Sequence, residues 1–153
     1  MKAIDMKEMV YSKEGKTELL FSKEFGDFHV AVINMRGSHP CGYVKVPDDI
    51  WESMANEHKK GELAKYELYN TFDEHFSAHG GFTYSCKYGH PGGPSDLPDG
   101  NWVGWDYAHA GDFTAFDLCF SQNPGKKWTT LEIVDEALDV CNQMIEYRKE
   151  NLK

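Results

Sequence analysis

The chain has 153 residues, enough for one domain with a real core and cramped for two. Its composition, 41% apolar and 27% charged, is that of a globular protein and excludes collagen, coiled coil or disorder as the whole answer. The net charge of −9 argues against a nucleic-acid duplex as partner, because neutralising phosphates takes a basic surface.

The opening residues, MKAIDMKEMVYSKEGK, have no apolar centre and do not read as a secretory signal. The longest apolar stretch, residues 28–35, is interrupted by His29 and Asn34 and falls far short of the ~20 residues of a bilayer span. A soluble, cytoplasmic protein with no membrane partner is expected. Cys41, Cys86, Cys119 and Cys141 form no C-x-x-C pair, so neither a zinc knuckle nor a thioredoxin motif is present and buried free thiols are expected.

In chain order, residues 18–25, 28–35 and 41–46 read as three antiparallel strands, with Gly26-Asp27 and residues 36–40 as turns and Pro47 as the stop. Residues 48–72 read as helical: Asp48 or Asp49 caps, Ile50, Trp51, Met54 and Ala55 recur at helical spacing, and Gly61 divides the segment. Leu63, Tyr66, Leu68 and Tyr69 continue as a short helix or a loop. Residues 82–86 and 101–107 are predicted strands. They flank residues 87–100, a Gly/Pro-rich loop whose three prolines forbid a helix or a central strand. The last element is the clearest, a helix over 129–150 with a Thr129/Glu132 capping box. Its apolar stripe is predicted as Leu131, Val134, Leu138, Cys141 and Ile145, joined by Ala137 and Met144. The fold expected is α+β in one domain: an antiparallel sheet of about five strands covered by the C-terminal helix, with a middle helical segment.

Two motifs carry chemistry. In His79-Gly-Gly-Phe-Thr-Tyr-Ser85, Gly80 and Gly81 permit positive φ or close approach to the backbone. Strand alternation then sets Phe82 and Tyr84 on one side and Thr83 and Ser85 on the other, a plausible wall for a polar ligand. In the second motif, residues 102–112 (WVGWDYAHAGD), Asp106, His109 and Asp112 follow at steps of three. Gly111 favours a tight turn that gathers them over a helix. Aspartate with histidine suits a divalent metal, a polar ligand contact without metal, or a structural hydrogen-bond network. His75 and His79 form H-x-x-x-H without the glutamate of a zincin, and Ser85 and Ser121 lack the G-x-S-x-G elbow of an α/β-hydrolase.

The pair HGG-x-T-[YF]-S and W-x-G-[FW]-D-x-A-H-x-G-D resembles a family of small bacteriophage and prophage proteins. The resemblance covers residues 40 to 140, including the Gly-Tyr-Val strand at 42–44 and the closing helix. In that family the place of Tyr107 is often a cysteine, so a cysteine nucleophile there is not supported in this chain. Phenylalanine is common at the place of Trp105. The resemblance implies an accessory protein acting in the host bacterial cytosol, plausibly in counter-defence.

Three functions follow as expectations. In the first, His79, Gly80, Gly81, Thr83, Tyr84, Ser85, Trp105, Asp106, His109 and Asp112 line a site for a small polar or nucleotide-like ligand, sequestering a host signal without turnover. In the second, Asp106, His109 and Asp112 hold a divalent metal in a hydrolase. In the third, the protein inhibits a host protein. A homo-oligomer is compatible with all three.

Overall fold

The structure, a computed structural model, describes residues 6–92, 97–115 and 125–152. Cys119, Ser121 and the middle of the Gly/Pro-rich loop lie outside the described residues. The elements run β1 (Glu18–Phe25), β2 (Phe28–Met35), β3 (His39–Lys45), α1 (Asp48–Lys60), a 3₁₀ turn (Glu62–Lys65), α2 (Tyr69–His75), β4 (Tyr84–Gly89), β5 (Gly100–Asp106) and α3 (Thr130–Asn151). The five strands form one antiparallel sheet in the order β1-β2-β3-β5-β4. The architecture is the expected α+β, with the long C-terminal helix packed on the sheet. Among the described residues no helix is long and apolar enough to cross a membrane.

Strand alternation divides the core in two. Val30, Val32, Val44, Val103 and Trp105 point to the helical side, where they join Ile50, Met54 and Phe72 and the inner face of α3. Ala31, Ile33, Cys41, Tyr43 and Trp102 point to the other side and form a second cluster with Leu97. The central pair β3–β5 is fitted by reciprocal glycines. Gly42 stands opposite Trp105 and Tyr43 opposite Gly104. A Cβ on either glycine would enter the facing aromatic ring. The short sequences GYV and VGW therefore encode a register, because each ring lies over the glycine of the neighbouring strand.

α1 begins at Asp48 with Pro47 before it, and no side chain caps it. Asp48 and Asp49 lie in its first turn, where they favour the positive end of the helix dipole. It ends before Gly61, as expected. α3 carries the predicted capping box, Thr129 Oγ1 accepting from the Glu132 N–H at 3.2 Å and Glu132 Oε1 from the Thr129 N–H at 3.0 Å.

The apolar stripe of α3 is rotated from the predicted one. Ile133, Ala137, Val140 and Met144 are fully buried, Val134 and Cys141 nearly so, and Leu131 is 54% exposed. Leu138 and Ile145 only flank the core. The long-range bond from Thr130 Oγ1 to the Lys7 carbonyl at 2.6 Å fixes the start of the helix with Leu131 facing outward. β4 also departs from its prediction, starting at Tyr84 rather than at Phe82 and extending to Gly89. Cys41 and Cys141 are buried free thiols, their pKa pushed up to about 12 by burial, so they are inert packing residues.

Candidate functional site

Two turns meet at the end of the sheet where β3 begins and β5 ends. The first carries His79 and is closed by the Gly81 N–H donating to the Ala78 carbonyl at 2.9 Å. Gly80 and Gly81 hold φ of +70° and +87°, the left-handed region. α3 pins this segment through Gln143. Its Oε1 accepts from the Ser77 N–H at 2.7 Å and its Nε2 donates to the Ser77 carbonyl at 2.9 Å. The second turn follows β5. Asp106 accepts from the Ala108 N–H and from the Thr83 hydroxyl, each at 3.1 Å. The Asp112 N–H donates to the His109 carbonyl at 2.9 Å, with Gly111 at φ +93°. This is the tight turn that the spacing of Asp106, His109 and Asp112 predicts.

Asp112 is the centre of the arrangement, its side chain only 3% exposed. His79 Nε2 lies 2.9 and 2.8 Å from its two carboxylate oxygens, the His109 N–H donates to Oδ2 at 2.9 Å, and Trp128 Nε1 donates to Oδ1 at 2.8 Å. Burial raises the pKa of this carboxyl, but the hydrogen bonds from His79, the His109 N–H and Trp128 outweigh it, so the pKa lies below its ordinary value of 3.8. The group is an ionised acceptor, and His79 Nε2 therefore carries a proton. The His79 ring is further held by stacking on Tyr107 at 4.5 Å, with 12° between the planes, and by the edge of Trp128 at 4.9 Å. Tyr107 accepts from Trp105 Nε1 at 3.1 Å and donates to Glu136 of α3 in a short bond. Burial first, and then the Glu136 carboxylate, raise the Tyr107 pKa well above its usual value.

His109 is held differently. Its Nδ1 is buried 3.4 Å from Asp106 Oδ1 and 3.8 Å from Asp112 Oδ2. It makes no hydrogen bond to the described residues. A buried ring nitrogen between two carboxylates and without a partner is a costly arrangement. His79, His109 and Asp112 each offer a ligand atom, all within 4.8 Å of one another. Two donors on one ion at about 2.1 Å stand roughly 3–4 Å apart, a range that includes the 3.8 Å between His109 Nδ1 and Asp112 Oδ2. The His109 ring also fills the space over Gly80, where a Cβ would collide with it. Gly80→Ala is therefore expected to cost about 1–2 kcal/mol from the backbone alone and to displace His109. Thermal denaturation together with the NMR shifts of the His109 ring would reveal both effects.

The predicted site residues separate into three groups. His79, Asp106, His109 and Asp112 converge, and Gly80 and Thr83 border them. Gly81 lies against Asp73 instead, whose Oδ1 accepts from the Phe82 N–H at 3.1 Å. Trp105 is 1% exposed and belongs to the core, and Tyr84 packs on Tyr43 at 5.4 Å on the other side of the sheet. Phe82 and Tyr84 therefore do not share a side as alternation predicts. The Phe82 N–H held by Asp73 precedes the regular strand, and Phe82 packs on Trp105 in the helical core. Ser85 is half-buried within β4, paired with Val103. Trp128, Glu136 and Asp73 complete the surroundings and were not legible as site residues. Trp128 directly precedes the capping box, the position of a hydrophobic staple, and this was the available signal. Compared with protein-family models, curated proteins and solved structures, the chain has no significant match to any of the three.

Proposed function

We propose that the chain is a metal-dependent hydrolase of a phosphoester or amide, with His79, His109 and Asp112 as the ligands of one divalent ion. The observation that carries this reading is the unpartnered, buried His109 Nδ1 beside two carboxylates and within reach of His79. Two imidazoles and a carboxylate suit zinc, iron or manganese. His79 and His109 keep 24% and 36% of their side chains exposed, so a substrate could reach an ion held by these three ligands, as at a catalytic rather than a structural centre. Held by His79, His109 and Asp112, a divalent ion would lower the pKa of a coordinated water toward neutrality and would polarise a phosphoryl or carbonyl oxygen. Asp106 lies beside His109 and serves as the proton acceptor. The stacked Tyr107 and the Trp128 edge fix the plane of the His79 ring; an ion bound through Nε2 would displace its proton and its hydrogen bonds to Asp112.

The test is turnover of generic phosphodiester, phosphomonoester and amide substrates with added Zn²⁺ or Mn²⁺. Chelator-sensitive turnover that disappears in His109→Ala is expected. Activity indifferent to chelator and to that substitution would overturn the reading.

A second reading, ligand sequestration without turnover, draws on one observation: the Asp112 carboxylate is already satisfied by three protein donors without an ion. It suits the resemblance to phage and prophage accessory proteins acting in counter-defence. It predicts an unchanged, stoichiometric small molecule released on denaturing the purified protein.

A further inference from the structure

His79 comes from a turn, and ligands carried on turns are placed less firmly than ligands on helices or strands. An imidazole binds an ion through the lone pair of a ring nitrogen, which lies in the plane of the ring. The plane of the His79 ring therefore decides where an ion can sit. That plane is set by Tyr107, whose ring lies 4.5 Å away with 12° between the two planes. Position along the plane is set by the backbone, which Gln143 of α3 holds through both polar groups of Ser77.

Tyr107 is fully buried, and its ring is held at the far end as well as at the backbone. The phenol oxygen accepts from Trp105 Nε1 at 3.1 Å and donates to Oε1 of Glu136. The Tyr107 N–H donates to the Pro40 carbonyl at 3.1 Å. Glu136 is half-buried on α3, beside Ile133, Ala137 and Val140 of the helix's buried face. Among the described residues its carboxylate has no other hydrogen-bond or ion-pair partner. A carboxylate behind a ligand histidine commonly reaches the second ring nitrogen directly and orients the imidazole that way. Here the carboxylate stands one ring further back and acts on the imidazole through a stacked phenol.

We infer that Glu136 is a positioning residue for the ligand His79, acting through Tyr107, and that it raises the affinity of the site for its ion. The inference rests on the metal reading above. It assigns α3 a part in the chemistry besides covering the sheet: the helix holds the His79 backbone through Gln143 and the His79 ring plane through Glu136.

The test is the Zn²⁺ affinity of the full chain, measured by competition with a chromophoric chelator at a temperature where circular dichroism shows every variant folded. Glu136→Ala is expected to weaken Zn²⁺ binding by about tenfold, the lower end of the range for losing a group that orients a ligand. Glu136→Gln keeps an acceptor for the phenol and should recover most of that affinity. Tyr107→Phe keeps the stacked ring but releases it from Glu136, so it should lose as much as Glu136→Ala. The double variant should lose no more than either single one, because the two residues act as a unit. Glu136→Ala that binds Zn²⁺ as tightly as the parent, even with a lowered melting temperature, would show a purely structural contact and overturn the inference. Equal losses in Glu136→Gln and Glu136→Ala would also overturn it. These outcomes leave the metal reading standing, whereas a parent protein that binds no Zn²⁺ would overturn both.

Discussion

Replacing Asp112 by alanine is expected to destabilise the protein by about 3 kcal/mol or more, the largest effect of any single change at the candidate site. Three donors, His79 Nε2, the His109 N–H and Trp128 Nε1, would lose their common acceptor in a place where water has little access. Each buried donor left unpaired costs about 1–3 kcal/mol. The damage spreads because Asp112 joins separate parts of the chain. Its neighbours Gly111 and Phe113 exchange backbone hydrogen bonds with Lys126, just ahead of α3, and His79 belongs to the turn before β4. Urea denaturation of Asp112→Ala measures the loss, and a change below about 1 kcal/mol would mean that the carboxylate is not the clamp described. His109→Ala provides the contrast. Its Nδ1 makes no hydrogen bond to the described residues and only longer contacts of 3.4 and 3.8 Å to Asp106 and Asp112, so the ring can be removed at smaller cost to stability than Asp112 while the proposed ion site is destroyed.

The second large effect separates two neighbouring positions of α3. Ile133→Ala is expected to cost about 2–5 kcal/mol, the range for emptying a fully buried aliphatic site. Leu131→Ala is expected to stay within about 0.5 kcal/mol, as at an exposed position. Thermal or denaturant unfolding of the two variants side by side decides the matter. Equal losses would contradict the rotation of the helix seen here.

That pair also shows where sequence reasoning stops. The existence, length and cap of α3 were legible, because a capping box and a helical repeat are local signals. The rotation of the helix was not. α3 has apolar residues enough for two overlapping stripes that share Val134, Ala137, Cys141 and Met144, and the choice falls to distant groups such as the Lys7 carbonyl and the sheet residues beneath. The sheet was legible from its β-rich runs and turns, but the pairing of β3 with β5 across Gly42 and Gly104 emerges only in the fold. The start of β4 was not, because the backbone at Phe82 answers to Asp73, nine residues away on α2.

The candidate site divides in the same way. His79, Asp106, His109 and Asp112 were legible as chemistry-bearing residues, and the turn that gathers the last three follows from their spacing and Gly111. That His79 joins Asp112 across 33 residues is a property of the fold. The aromatics of the motifs could be noticed but not assigned: Trp105 and Phe82 fill the core, Tyr107 supports the His79 ring, and Tyr84 lies across the sheet. An aromatic residue in a motif has the same composition whether it stacks on a ligand or on Val103, and only burial separates the two.

The account stands on the claim that His79, His109 and Asp112 hold a divalent ion. The most direct test is the metal content of untagged protein, by native mass spectrometry and elemental analysis, after incubation with Zn²⁺ or Mn²⁺ and removal of the excess. The account predicts one ion per chain in the parent protein. It predicts none in His109→Ala, with the circular dichroism and melting temperature of that variant close to those of the parent. A parent protein that retains no ion, or a His109→Ala variant that retains as much as the parent, would contradict it.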